Sequence, residues 1–453
     1  MKTKKSISRR SFLASAVKAT AATAAMTVAP YGCTSKSSGT LTVGFWDHWV
    51  PGANDALTEL CNEWAAKEKV DLKIDYITSQ GRKLLLTITS QGMAKSGHDI
   101  LPFATWQVAA QKRNLEPVDD IMEPLIAQNG SVVPVVEYLG KLDGHWYGVP
   151  ATPGSQMKGP CGRIDLFKKY AGLDLTRMYP AGKVGDKKLL DNWTWETFLQ
   201  VAEKCNKGGY PFGLGLAATA DSVDWVGALF AAYGAQLVDV DGNITVNSDA
   251  TREVMEYAKR LAAQLPEAVY AWDDSSNNKW LVSGRGSLIM NPPSAWAVAK
   301  RDNPELARQL WSFPAPRGPR GQFRIGLPFH WGIWKFSRNK AAAKSLLVYL
   351  SQRRSAEKLV NASGGYDIPG FSSFLDFDVW NEAGPPKGTL YNYPPRGDQT
   401  VSIAAAPAPH AIANQIFTQA TMPKMIAQYA QGGQSLNQVI AWAESELEGY
   451  RRV

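Results

Sequence analysis

The sequence predicts an α/β fold of layered helices and sheets, on three observations. Short β-prone runs alternate with longer amphipathic runs from residue 41 onward. That rhythm restarts after Ala151. The composition is globular, with 45% hydrophobic and 20% charged residues over 453 positions, enough chain for two or three domains.

In order, Leu41–Gly44 is read as a strand, Asp55–Glu68 as a helix, and Asp71–Thr78 as a strand with alternating Leu72, Ile74 and Tyr76. Lys83–Lys95 is helical, His98–Leu101 a short strand, and Phe103–Trp106 the next strand-to-helix turn. Gly144–Pro150 reads as a turn into an edge strand. In the second half, Ile164–Ala171 and Trp195–Cys205 are helical, with Thr194 as N-cap and Glu196 in the first turn. Val223–Tyr233 is an apolar helix, Val238–Val246 a hairpin turning at Asp241-Gly242-Asn243, and Asp249–Gln264 an amphipathic helix. Gly284–Met290 leads into a strand, Ala315–Arg324 is a Pro/Gly/Arg loop and Ile325–Lys335 is β-prone. Lys340–Ser351 and Ala356–Asn361 are helical, Gly384–Arg396 is a long loop, and Asn414–Tyr450 is largely helical.

The first thirty-odd residues read as an address, not as fold. Lys2, Lys4, Lys5, Arg9 and Arg10 precede an Ala-rich apolar run, Phe12–Ala29, as in an export signal. Ser8-Arg9-Arg10-Ser11-Phe12-Leu13 is similar to the twin-arginine export motif. Gly32-Cys33 followed by a Ser/Gly linker resembles a lipoprotein signal, although Pro30 and Tyr31 stand where that pattern wants Leu and a small residue. Two readings stay open: a lipid on Cys33, or cleavage nearby without one. Of the formal charge of +8, six positive charges lie in residues 1–33 with no acid, leaving +2 for the rest. The basic balance is therefore mostly address label, and nucleic-acid binding loses its support. Cys61, Cys161 and Cys205 have no paired spacing, so no zinc site is indicated; an exported chain has room for one disulfide among them, and spacing selects no pair.

The stretch Phe45-Trp46-Asp47-His48-Trp49 sits where a strand becomes a helix, the edge at which open α/β sheets bind ligands. Trp offers a flat apolar face, and Asp and His offer directional hydrogen bonds. That combination suits a sugar; the competing reading is ordinary packing.

Several stretches, in order, resemble the extracellular solute-binding proteins of ABC importers, the group that includes maltose-binding protein. They include Trp46–Asn54, His98-Asp99-Ile100, Leu115-Glu116-Pro117-Val118-Asp119, Tyr147-Gly148-Val149-Pro150, Asp165-Leu166-Phe167 and Trp193-Thr194-Trp195-Glu196. Trp225 before Gly234-Ala235, then Gly284–Met290, Pro314–Gly321 and Trp334–Lys340, continue the series. The resemblance implies a two-lobed periplasmic-binding-protein fold with a ligand cleft between the lobes. After an export signal (1–33) and linker (34–39), lobe one would take 40–150 and 291–350, and lobe two 151–290 and 351–453. It also implies a substrate-binding component that delivers a carbohydrate or related small polar solute to permease subunits, acting as a periplasmic or cell-surface monomer with no cofactor.

Carried over residue by residue, the resemblance makes Trp46, Asp47, His48, Trp49, Thr105 and Trp106 cleft candidates. Trp225 falls at an aromatic that stacks on sugar in relatives; its alternative is a core place in an apolar helix. Asn291, Ser294 and Trp296 sit at a crossover, His330 and Trp331 in the β-prone run, and Tyr366 in a Ser-Gly-Gly-Tyr loop. Many sugar binders carry an aromatic pair and Asn before the Asp-Leu-Phe helix, where this chain has Gly159-Pro160-Cys161-Gly162-Arg163. Arg163 either clamps an acidic ligand group or is a solvated helix-start residue, so an anionic ligand stays open. No H-x-x-x-H spacing supports a metal. The rival readings are a secreted carbohydrate-active enzyme and a binding protein for sensing. The chain has 41 acidic residues, so carboxylates alone decide nothing, but G-x-S-x-G, H-E-x-x-H and a phosphate-binding Gly loop are missing.

Overall fold

Leu41–Trp46 is buried on both faces, as a central parallel strand must be. In the computed structural model, which describes residues 39–380, 393 and 400–452, it pairs in parallel with Leu72–Ile77 on one side and Ile100–Ala104 on the other. The antiparallel strand Gly321–Ile333 continues the sheet beside Ile100–Ala104. That long strand also pairs with Val149–Lys158, with Thr400–Ser402, and with Arg317–Gly318 in a tight hairpin. A second, three-stranded antiparallel sheet places Cys161–Arg163 between Leu288–Ile289 and Leu310–Ser312.

Two hydrophobic cores form around these sheets. The first gathers Leu41, Phe45, Trp64, Ile100, Phe103, Trp331 and Trp334. The second gathers Phe167, Trp195, Phe198, Trp225, Phe230, Met255 and Leu261. Val149–Lys158 and Gly321–Ile333 run through both regions: Val149 and Phe329 belong to the first core, Ile325 to the second. Their register shifts between Leu327 and Phe329, where residues 152–155 bulge out of the ladder. Gly154 takes φ +91° in that bulge, and a Cβ there would stand 3.2 Å from both Trp46 and Phe329. A bulge of this kind bends the strand and re-aims its side chains.

Several local readings shift for physical reasons. The first strand runs on to Trp46 instead of stopping at Gly44, so Trp46 is packed at a strand end. The crossover at Asn291–Trp296 is the start of a helix, Pro292–Asp302: Pro292 and Pro293 occupy its first turn, where the missing N–H costs nothing. Ala315–Arg324 contains a hairpin, while Val238–Val246 keeps only a single bridge, Val238 to Ile244. Val149–Lys158 is no edge strand at its far end but a buried crossing. Thr194 caps its helix as expected, its hydroxyl accepting from the Thr197 N–H.

Leu359, Val360, Tyr366, Phe371 and Trp380 join the first core, and the second core resumes at Ile403. The helix Arg353–Ala362 packs on Ala53–Glu68, which holds it there. Cys61, Cys161 and Cys205 are buried and unpaired. Residues 1–33 with Cys33, and nearly all of the Gly384–Arg396 loop, lie outside the described residues. Among the described residues no helix is long and apolar enough to cross a membrane.

Candidate functional site

A cavity of about 160 Å³ opens where the two crossing strands pass between the cores. Its first wall is aromatic. Trp46 is held between Phe329, with ring centroids 5.8 Å apart, and Tyr366, at 6.2 Å. Behind them His48 packs edge-on against both Trp46 and Tyr366. Its Nδ1 accepts from the Val50 N–H at 2.9 Å, so Nε2 carries the proton toward the Asp367 carboxylate at 3.1 Å. Asp367 also accepts from the Gly154 N–H, tying the aromatic wall to the bulge. The half-buried Trp49 and the buried Thr105 complete this side. Thr105 takes φ +47°, an outlying conformation for a β-branched residue, and its N–H is fixed to the Pro328 carbonyl at 3.0 Å.

The opposite wall is polar, and it starts at a helix N-terminus. Thr219 caps Ala220–Tyr233 and puts Asp221 in the first turn, where the helix dipole favours a carboxylate. Lys158, at the end of its crossing strand, reaches Asp221 at 2.7 Å and Asp224 at 2.8 Å. The amides of Asn277 and Asn291 donate to the other Asp221 oxygen at 2.8 and 2.9 Å. Asp274 lines the cavity beside them and accepts from the Asp221 backbone N–H.

The electrostatics of this wall are uneven. Burial would lower the Lys158 ammonium, but Asp221 and Asp224 outweigh it and hold its pKa above the usual range. Asp224 is raised as well: burial lifts it to about 6 despite Lys158. Burial, with Asp221 adding to it, pushes Asp274 up to about 7. The charged form of Lys158 is thus favoured and that of Asp224 is not: one buried ammonium is shared between two carboxylates, and at Asp224 burial outweighs it.

Of the residues expected from sequence, Trp46, Trp49, Thr105, Asn291, Ser294 and Tyr366 line this cavity. The others do not. Asp47 is exposed and accepts from Asn54 at 2.8 Å. His48 lies one layer back. Trp106 is fully buried, its indole N–H on the Ala404 carbonyl. Arg163 is spent on Asp165, two residues along. Trp225 is buried under the polar wall with its N–H on the Gly215 carbonyl. Trp296 and Trp331 pack in the first core. His330 is buried, bonded through Nε2 to the Val136 carbonyl, and burial drops its pKa to about 4. In each case an apolar or locally paired environment captured the side chain.

Sequence reasoning missed Lys158, Asp221 and Asp274. One signal was available: Asp224 stands inside the apolar run Val223–Tyr233, and a carboxylate buried in an apolar helix needs a cation nearby. Nothing pointed to Lys158 as that cation. Among the described residues no group of three or more His, Cys, Asp and Glu could hold a metal ion.

With this geometry in view, the fold can be set beside known proteins. Maltose-bound MalE3 of T. maritima is 16% identical, with 90% of this chain and 99% of that chain covered at a TM-score of 0.69. A sugar transporter from Arthrobacter chlorophenolicus A6 with bound laminaribiose is 15% identical, covering 91% and 99% at 0.70. An ABC transporter solute-binding protein from Thermotoga lettingae TMO bound with α-D-tagatose is 17% identical, covering 91% and 100% at 0.69. At these identities the likeness establishes the two-lobed α/β fold. No individually curated protein matches the sequence. Residues 60–385 match the family described as bacterial extracellular solute-binding protein. The chain belongs to that family of bacterial extracellular solute-binding proteins.

Proposed function

We propose that this protein is the substrate-binding component of an ABC importer. It captures a carbohydrate or related small polar solute between the aromatic and polar walls and delivers it to a membrane permease. The observation that carries this reading is the pairing of walls. Trp46, Trp49, Phe329 and Tyr366 offer faces for the apolar side of a sugar ring, and Asp221, Asp274 and Asn291 offer acceptors for its hydroxyls. Both walls sit at the crossing of the two cores, where a hinge motion would bury a solute from water. The neighbouring structures with maltose, laminaribiose and tagatose support the same ligand class. The export signal at Arg9-Arg10 supports the twin-arginine route to the periplasm or cell surface, with Cys33 as the lipid site if the chain is anchored.

The test is thermal-shift screening of the mature chain with neutral mono- and disaccharides. A ligand at a hundred times its Kd stabilises by roughly 2.7 kcal/mol. A sugar that raises the melting temperature and is recovered unchanged supports capture. Release of product from a glycoside would overturn it in favour of an enzyme.

A further inference from the structure

The polar wall has a lopsided inventory of donors and acceptors. The buried side-chain oxygens left without a protein partner include Oε1 of Gln156, Oδ1 of Asp274, Oδ1 of Asn291 and Oγ of Ser294, all on cavity-lining residues, and Oδ1 of Asp224, which is not one of them. Asn291 and Ser294 are only 5% and 1% exposed, and both line the cavity. The orientation of the Asn291 amide is not free: its N–H₂ must meet the Asp221 carboxylate, which can only accept, so its oxygen is left over. The Asn277 amide likewise donates to Asp221. No buried side-chain N–H of this wall is left over among the described residues. The Ser294 hydroxyl can donate as well as accept, but the Asn291 oxygen and an ionised Asp274 can only accept, so the wall asks its solute mainly for donors.

It also asks for charge. Among the described residues, Asp221, Asp224 and Asp274 meet one cation on this side, Lys158. The neighbouring Asp273 is turned to Ser275 and Ser276. The other cavity-lining cation, Arg82, comes from the opposite side and donates to the Thr418 carbonyl at the rim. Asp367 accepts from the His48 Nε2–H and the Gly154 N–H behind the aromatic wall. Burial first, and Asp221 and Asp224 after it, push the Asp274 carboxyl up to about 7 despite the nearby Lys158 ammonium. A neutral hydroxyl can satisfy an acceptor, but only a cationic donor both satisfies it and cancels the surplus.

We propose that the solute of this cleft is a sugar bearing a free amino group, its ring against Trp46 and its ammonium between Asp221 and Asp274. This rests on the reading of the cleft as a sugar site and narrows it. It also replaces the anionic ligand that Arg163 had left open, since that guanidinium is clamped on Asp165 away from the cavity.

The experiment is titration calorimetry on the mature chain near neutral pH at low salt. Glucosamine, galactosamine and mannosamine are each compared with the parent hexose and its N-acetyl form. The expected result is that one amino sugar binds at least tenfold more tightly than both of its neutral counterparts. Asp274→Asn should then lower that amino-to-parent ratio at least fivefold, with thermal unfolding of the unliganded variant confirming that it folds. Neutral sugars binding as well as or better than their amino forms, or a ratio unmoved in D274N, overturn the proposal and leave sugar capture standing. Binding by no sugar of any kind overturns both.

Discussion

Replacing Lys158 by Ala tests the electrostatics of the polar wall most directly. The side chain is 2% exposed and contacts carboxylates at 2.7 and 2.8 Å. With an effective dielectric constant near 20, each contact is worth about 6 kcal/mol before desolvation is counted. Desolvation returns much of that, and removing one partner of a buried ion pair costs roughly 3–5 kcal/mol. Asp224 sets the pH dependence. Its folded pKa is raised from 3.8 to about 6, so its charged form already costs the fold about 3 kcal/mol above pH 6. That stability is present below about pH 4 and is lost as the pH rises through 6. Without Lys158 the folded pKa climbs further, so K158A should lose roughly 3–5 kcal/mol at pH 8 and less than half of that at pH 5. Urea unfolding followed by tryptophan fluorescence at both pH values measures it. The double variant K158M/D224N should recover most of the loss, because the more deeply buried carboxylate is then neutral. A loss under about 1 kcal/mol at pH 8, or the same loss at both pH values, would refute the reasoning.

Trp46→Ala should weaken sugar binding at least tenfold by calorimetry, whereas Trp106→Phe, at a fully buried indole outside the cavity, should cost stability and leave affinity within about twofold. His330 is held neutral, its pKa lowered from 6.5 to about 4, so unfolding is favoured as pH falls from 6.5 toward 4 by up to about 3 kcal/mol. His330→Gln should flatten that acid-side slope in a series of unfolding curves from pH 4 to 7; an unchanged slope would place the titration elsewhere. Gly154→Ala should destabilise by roughly 1–3 kcal/mol, since the new Cβ meets Trp46 and Phe329 at 3.2 Å at a φ of +91°. A melting temperature equal to wild type would mean the bulge yields freely.

How much of this was readable beforehand depended on the range of the forces involved. The alternation of strands and helices is a local pattern, and the Thr194 cap and the strand-to-helix position of Trp46 came with it. Arg163 could have been assigned locally too, because an acid two residues away competes for it. The aromatic residues divided badly: Trp106, Trp225 and Trp331 carry the same chemistry as Trp46 and Trp49, and only three-dimensional packing decides which faces a cavity. The ionic floor was hidden for another reason. Lys158 and Asp221 are 63 positions apart, and Asp221 and Asn291 are 70, so no local pattern joins them.

The division of the cleft into one aromatic and one polar wall has a consequence for selectivity. Trp46, Phe329 and Tyr366 belong to the first core, while Asp221 rides on a helix of the second. Neither core can judge a solute alone. A molecule with a flat apolar face but no donors can rest on the aromatics, and a small cation can visit the carboxylates, yet neither spans the gap and draws the halves together. If the cleft closes as proposed, only a solute that satisfies both walls at once would draw them together, so closing would act as a coincidence detector and report fit rather than mere occupancy.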